Sequence, residues 1–353
     1  MKYADFHRRS LADREGFWAE QAALIDWQTP FSQVLNYSRP PFTNWFVGGR
    51  TNLCHNAVDR HLAARPAQNA LIYVSTETDR EMVYSFRELH AEVQRMAAVL
   101  LSLGVKQGDR VLIYMPMLPE AVFAMLACAR IGAIHSVVFG GFASVSLAHR
   151  IDDAEPTVIV SADAGSRAGR VLAYKPLLDE AIRQATHKPQ RVLMVDRGLA
   201  SFDRIAGRDA DYAPLREQQL HTVVPCVWLE AAHPSYTLYT SGTTGRPKGV
   251  QRDTGGYAVA MAASMKHIFM GQPGETYFST SDIGWVVGHS YIVYGPLIAG
   301  MATILYEGLP TQGFNRRPDA AIWWSLVEKY KVTAMFSAPT AVRVLKKQDP
   351  AAL

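Results

Sequence analysis

The sequence predicts an α/β protein: two doubly wound lobes, each with a mostly parallel sheet of βαβ units, preceded by a helical and extended N-terminal arm. Three observations carry this. Apolar runs of four to six residues, such as Val111 to Met115 and Arg191 to Val195, alternate with longer segments of helical period. Those runs lack the in–out alternation of a half-exposed strand, so they belong to strands covered on both faces. A length of 353 residues suffices for one large or two ordinary domains.

Taken in order, residues 1 to about 27 read as an amphipathic helix with Phe6, Leu11, Phe17, Trp18 and Leu24 available to pack. Pro30, Pro40, Pro41 and Gly48-Gly49 then suggest an extended arm laid over another surface. Ser85-Phe86-Arg87-Glu88 is a capping box, and Phe86, Leu89, Val93, Met96, Ala97 and Leu100 keep helical spacing until Gly104. A strand at Val111 to Met115, a helix from Pro119 to about Ala129 and a strand at His135 to Phe139 follow. Leu147 to Ala154 reads as helix, Thr157 to Ser161 as strand, Leu177 to Ala185 as helix and Arg191 to Val195 as strand. Residues 198 to 232 look irregular and polar. The alternation resumes with strands at Tyr236 to Tyr239, Tyr277 to Thr280, Ala302 to Tyr306 and Thr333 to Ser337. Helices are expected at Tyr257 to Phe269, Ala320 to Tyr330 and Ala341 to Lys347. The organisation expected is an N-terminal extension over residues 1–54, a first α/β lobe over 55–200 and a second over 201–353.

Composition excludes several classes. With 48% hydrophobic and 19% charged residues the chain reads as soluble and globular, and its net charge of +4 is scattered, so neither nucleic acid nor an acidic membrane is expected as a partner. The apolar run from Tyr291 to Tyr306 is too short and too interrupted by Gly295, Pro296 and Gly300 to span a bilayer. Cys54, Cys128 and Cys226 are distant in sequence and outside any CxxC pattern, which argues against a disulfide framework or a zinc site and fits a reducing cytoplasm. The first fifteen residues mix both charge signs, unlike a secretory signal.

The chemistry gathers at Tyr239-Thr240-Ser241-Gly242-Thr243-Thr244-Gly245-Arg246-Pro247-Lys248-Gly249-Val250. Its glycines let backbone N–H groups approach an anion, and its hydroxyls and Lys248 add donors and positive charge, an inventory for holding phosphates. It is not a G-x-x-x-x-G-K-[ST] loop, because Lys248 follows Pro247 and precedes Gly249. Composition alone also admits a flexible connection. The flanking segments read as strands, so donors come from loop N–H groups and side chains rather than from a helix terminus.

The order of residues in this stretch resembles the signature of the adenylate-forming superfamily of acyl-CoA synthetases, luciferases and peptide-synthetase adenylation domains. The N-terminal arm is similar to the extension of short-chain acyl-CoA synthetases of the acetyl and propionyl type. The resemblance implies that Thr240, Ser241, Gly242, Thr243, Thr244, Gly245 and Lys248 close over the β- and γ-phosphates of ATP, with magnesium, while a carboxylate attacks the α-phosphate. Such transfers are problems of positioning and charge stabilisation, which suits a donor-rich loop with no nucleophile. No metal ligand is assigned, and no catalytic residue, because the family's adenylation lysine belongs to a C-terminal domain.

Thr280-Ser281-Asp282-Ile283-Gly284-Trp285-Val286-Val287-Gly288-His289-Ser290-Tyr291 reads by itself as a strand end, a turn and a buried helix. It resembles the acyl-pocket segment of short-chain acyl-CoA synthetases, which implies Trp285, Val286 and Val287 along the acyl group. Acetyl-type members carry Thr where Val287 stands, and the Val-Val-Gly-His-Ser-Tyr form is similar to propionyl-type members. An apolar wall suits one further methylene, about 0.8 kcal/mol when buried and about tenfold in discrimination. Propionate is therefore the expected substrate and acetate the secondary one. His289, between glycine and a buried aromatic helix, reads as a structural donor.

In Ala164-Gly165-Ser166-Arg167-Ala168-Gly169-Arg170 two arginines three apart would share a face if helical, ordinarily as a solvated pair. The resemblance implies that Arg167 and Arg170 meet the nucleotide end of coenzyme A, where guanidinium matches phosphate. It implies Phe139, Gly140, Gly141 and Thr311 for the same ligand, although family members often carry Asn at the Thr311 position.

The family pattern continues beyond Leu353 with adenine- and ribose-binding motifs, a hinge and a small C-terminal domain, so the sequence reads as an N-terminal fragment, weak or inactive alone. Two other classes fit less well. A non-catalytic nucleotide- or CoA-binding protein would bind without pyrophosphate exchange. A dinucleotide oxidoreductase needs a G-x-G-x-x-G turn, whose spacing Val138-Phe139-Gly140-Gly141-Phe142 lacks.

Overall fold

The computed structural model describes residues 3–240 and 247–348. Two sheets form its body. The first has seven strands in the order Asp209–Asp211, Arg191–Val195, Val158–Ala162, Arg110–Tyr114, Ile134–Val138, Pro234–Thr240, Lys248–Asp253. The second has five, in the order Val332–Phe336, Thr276–Ser279, Ala302–Glu307, Asn69–Ser75, Arg80–Ser85. In each sheet the pairing is parallel except at one edge, where Lys248–Asp253 and Arg80–Ser85 run antiparallel. The mostly parallel α/β architecture expected from the sequence is thus the one observed.

Local chemistry fixes the covering helices. Ser85 caps Phe86–Ser102 reciprocally: its Oγ accepts the Glu88 N–H at 3.2 Å, and the Glu88 carboxylate accepts the Ser85 N–H at 2.8 Å. Pro119 opens Pro119–Ile131 at a position that needs no N–H, and Gly132, in the left-handed region at φ 74°, closes it. Every residue of Ile134–Val138 and Val158–Ala162 is buried, as strands with helices on both faces require.

Several boundaries differ from expectation. The N-terminal helix is two, Tyr3–Ala12 and Arg14–Ala22, because Asp13 turns its carboxylate onto the Gly16 N–H at 3.0 Å and begins a new helix. The expected extended arm is a β-hairpin, Gln33–Arg39 against Phe42–Val47. Asn69–Ser75 and Arg80–Ser85 had no counterpart in the sequence reading. Asn69–Ser75 pairs with Ala302–Glu307 on one side and with Arg80–Ser85 on the other, so the second sheet draws on both ends of the chain. The stretch 198–232, read as irregular, holds the short strand Asp209–Asp211 and the helix Tyr212–Gln218.

One buried ion pair ties the sheets together. Glu307, ending Ala302–Glu307, accepts from Arg197 Nη2 at 2.8 Å and from the Tyr73 and Ser75 hydroxyls at 2.7 Å. Arg197 lies just past Arg191–Val195 of the other sheet.

Candidate active site

The carboxyl ends of the parallel strands of both sheets open onto one cleft of about 640 Å³. Met117 follows Arg110–Tyr114, Phe139 follows Ile134–Val138, Asp282 follows Thr276–Ser279, and Gly308 follows Ala302–Glu307; all four line it. Open α/β sheets place ligands outside these ends, because the loops there are free to carry function while the strands stay packed.

Three of the sequence-predicted groups meet in this cleft. The first is the turn Phe139-Gly140-Gly141. A Cβ on Gly140 would stand 2.1 Å from the Tyr174 hydroxyl, and one on Gly165 would stand 2.7 Å from the same oxygen. Glycine is required at both, since Tyr174 is itself buried and stacked on Tyr114 at 4.8 Å between ring centroids.

The second is the arginine motif, whose geometry differs from expectation. Arg167 and Arg170 do not share a helix face; they end two strands, Ala164–Arg167 and Arg170–Ala173, and pair directly across a two-residue turn. Ala168 at φ 54° and Gly169 at φ 72° give that turn the left-handed backbone that suits a hairpin. Glu77 holds it from beneath, its carboxylate accepting from Ser166 Oγ at 2.8 Å and from the Ala168 and Gly169 N–H groups at 2.8 and 3.1 Å. Arg167 lines the cleft; Arg170 is exposed beside it, outside the lining.

The third is Trp285, half exposed, with its ring 5.8 Å from that of Phe139. Its neighbours diverge. Val286 faces a separate cavity of about 540 Å³, shared with Trp18 and Trp45 of the N-terminal extension and with Tyr257 and Ser290. Val287 is half-buried and lines neither space. His289 is fully buried, with Nδ1 3.1 Å from the Trp285 carbonyl oxygen. Burial pushes its pKa down to about 4, so it is a neutral donor holding the segment, as the sequence suggested.

The phosphate stretch is carried by an antiparallel hairpin. Thr240 and Lys248 face each other across it, both exposed. Ser241, Gly242, Thr243, Thr244 and Gly245 lie outside the described residues. Thr311 is half-buried, its carbonyl accepting the Asp319 N–H at 2.9 Å, and it does not line the cleft although Leu309 and Pro310 do.

Sequence reasoning missed Glu77, Tyr174 and above all Asp282. Asp282 Oδ1 accepts the Gly284 N–H at 2.7 Å, an Asx turn that the Asp-x-Gly spacing could have signalled. Burial raises its pKa to about 6, with the charge of Arg167 opposing. Also missed was the approach of two cysteines: atoms of Cys54, Asp59 and Cys226 lie within 4.8 Å of one another. Arg130 occupies that cluster as its counter-ion, donating to the Asp59 carboxylate at 2.8 and 2.9 Å.

A fold that gathers both sheets' strand ends around one cleft defines an open α/β protein with a ligand-sized site at the ends of its strands, and comparison identifies the class. The family described as AMP-binding enzyme matches residues 58–352, and the chain belongs to it. Residues 3–57 match the unit described as acetyl-coenzyme A synthetase N-terminus. Among individual proteins, the chain is 63% identical over 347 residues to propionate–CoA ligase of Escherichia coli (strain K12), covering 98% of this chain and 54% of that protein. It is 47% identical to the mitochondrial acyl-CoA synthetase short-chain family member 3 of Rattus norvegicus, covering 51% of it. Acetoacetyl-CoA synthetase from Streptomyces lividans superposes with a TM-score of 0.88 at 28% identity, over all of this chain and 53% of the other. The chain spans about half the length of the curated relatives it matches. No helix among the described residues is long and apolar enough to cross a membrane.

Proposed function

We propose that the protein to which these residues belong activates a short-chain carboxylate with ATP, forming an acyl-adenylate and pyrophosphate, and then transfers the acyl group to coenzyme A, releasing AMP. Propionate is the preferred acid and acetate the secondary one. The observation that carries this reading is the single cleft in which Phe139, Arg167 and Trp285 meet, with the phosphate hairpin on an edge of the same sheet as the Phe139 strand. The names of the relatives support the reaction and the acid.

In this reading Thr240, Lys248 and the turn between them donate to the phosphates of ATP, and magnesium bound with ATP would add charge neutralisation there. Arg167 and Arg170, paired across one turn, offer two guanidinium forks to the phosphates of coenzyme A's nucleotide end, and the Phe139-Gly140-Gly141 turn lines the same cleft as Arg167 for the same ligand. Trp285, Val286 and Val287 are assigned to the acyl group; of the three, Trp285 lines the cleft, Val286 faces the separate cavity and Val287 lines neither. Val286 fronts a cavity that Trp18 and Trp45 of the N-terminal extension also line, so an acyl group reaching Val286 would meet the extension. The described cysteines are free thiols, which supports a reducing, cytoplasmic setting.

The test is carboxylate-dependent exchange of labelled pyrophosphate into ATP by the full-length protein, with acetate, propionate and butyrate compared. Exchange strongest with propionate, by about tenfold over acetate, is expected. Absence of exchange with all three acids overturns the reading in favour of a non-catalytic binding protein.

A further inference from the structure

We infer that Asp282 is the general base that takes the proton from the coenzyme A thiol in the thioester-forming half of the reaction. The inference rests on the ligase reading above and adds to it a catalytic residue.

Geometry comes first. Asp282 lines the same cleft as the Phe139-Gly140-Gly141 turn and Arg167, assigned to one reactant, and Trp285, assigned to the other, and the Phe139 and Trp285 rings meet at 5.8 Å. Its position is rigid. Oδ1 accepts the Gly284 N–H at 2.7 Å, and its carbonyl accepts the Trp285 N–H at 3.0 Å. Gly284 and Gly288 admit no side chain: a Cβ would lie 2.8 Å from the Phe139 backbone in the first case and 2.0 Å from the Asp282 carbonyl oxygen in the second. Oδ2 makes no hydrogen bond among the described residues and is not enclosed by protein, and Asp282 lines the cleft.

Chemistry comes second. A thiol attacks poorly until it loses its proton, so an acceptor with a pKa near the working pH is needed. Burial lifts the Asp282 carboxyl to about 6: ionised, hence basic, at neutral pH, yet a far stronger proton acceptor than an ordinary aspartate. The other ionisable groups facing the cleft are committed elsewhere. Glu77 holds the arginine hairpin, Glu307 is paired with Arg197, and the Tyr174 hydroxyl is held as a proton donor by burial, with its pKa pushed above the ordinary tyrosine value. Tyr306 is likewise raised, to about 12, by burial, and the charge of Arg167 favours the ionised form of Asp282.

The step balances without a further reactant. Oδ2 accepts the thiol proton as the sulfur lone pair forms a bond to the acyl carbonyl carbon. The carbon–oxygen bond to the AMP phosphate then breaks, its electron pair leaving on the phosphate oxygen, and the protonated carboxyl returns its proton to water.

The experiment uses full-length protein carrying Asp282→Asn, whose amide oxygen still accepts the Gly284 N–H but cannot take a proton. Pyrophosphate exchange reports the first half-reaction, and single-turnover acyl transfer from preformed acyl-adenylate to coenzyme A reports the second. Acyl transfer should fall by roughly 10²-fold or more, the usual worth of a general base, with far less change in exchange. In the unsubstituted protein the acyl-transfer rate should rise with an inflection near pH 6, and the variant should lose it. Equal losses in both half-reactions would reduce Asp282 to a cap of the Trp285 segment, and undiminished acyl transfer would remove it from the chemistry; either overturns the inference. If the variant fails to fold, a flat acyl-transfer pH profile between 5 and 8 in the unsubstituted protein overturns it equally. Loss of exchange in the unsubstituted protein would instead strike the ligase reading itself.

Discussion

Tyr174 sets how closely the Phe139 turn and the arginine hairpin approach each other, because its hydroxyl is wedged between Gly140 and Gly165. The ring cannot swing aside: it is buried and stacked on Tyr114. A methyl at residue 140 must therefore move the turn. Gly140→Ala is expected to cost about 1 to 3 kcal/mol by overpacking, measured by urea unfolding, and to weaken coenzyme A binding. Adding Tyr174→Phe should recover part of that loss by removing the oxygen at 2.1 Å, though the ring carbon at 3.0 Å remains. No recovery in the double variant would mean that the turn is not held by this contact. At this scale the sequence was informative about residue types and less so about partners. The glycines of the turn stand out in any reading, whereas the tyrosine that makes them necessary lies about thirty positions away and looks like ordinary helix filling. Asp282 was hidden similarly, since its environment is assembled from Met117, Phe139 and Arg167.

Elements carry the next level, and the arginine hairpin is where element and function meet. Spacing of three suggested a helix face, but the left-handed backbone at Ala168 and Gly169 turns the chain back at once, and Glu77 fixes that turn with two backbone N–H groups and one hydroxyl. Glu77→Gln places an NH₂ donor against donors and forfeits at least one charge-assisted bond. The loss of about 1.5 kcal/mol corresponds to about tenfold in the population of correctly placed hairpins. The KM for coenzyme A in full-length protein should rise by up to about that factor while pyrophosphate exchange stays near its original rate. An unchanged KM would separate the hairpin from the coenzyme A site. Most strands of the seven-stranded sheet were legible because buried runs such as Val158–Ala162 are apolar throughout. The hairpin Asn69–Ser85 was not, because Arg80–Ser85 is a mainly exposed edge with Arg80, Glu81 and Met82 in succession, and its strand character comes from a partner rather than from a pattern.

The whole molecule is closed by pairings that no local pattern announces: Asn69–Ser75 lies beside Ala302–Glu307 across more than two hundred residues, and the core between the sheets buries histidines that must stay neutral. Burial lowers His61 and His289 to about 4 and drives His135 well below the ordinary value, with the neighbouring His289 adding to the effect. His135 is surrounded by Tyr236, Tyr294 and His289, and burial and the charge of His289 both disfavour its cation. The sign of the consequence follows from proton binding. Below about pH 6.5 the unfolded chain protonates these histidines, while the folded protein refuses the proton until about pH 4, so stability is complete above 6.5 and declines from there toward 4. Asp282 works the other way: its raised pKa means the folded state takes a proton first between about 6 and 3.8, adding stability as pH falls through that window. Asp59, held below the ordinary carboxylate range by His90 and Arg130 against the opposing effect of burial, adds its loss only below about 3.8. His233 and His267 are also lowered by burial, while Glu120 and Asp253 are raised with Asp282; the depressed histidines outweigh the raised carboxyls, so the unfolding free energy should fall by a few kcal/mol between pH 7.5 and 4.5. Urea midpoints at pH 7.5, 6.5, 5.5 and 4.5 test this, and His61→Gln should flatten the slope by removing one of these titrations. A midpoint constant across that range would show that the buried histidines accept protons in place, and that the core between the sheets admits water.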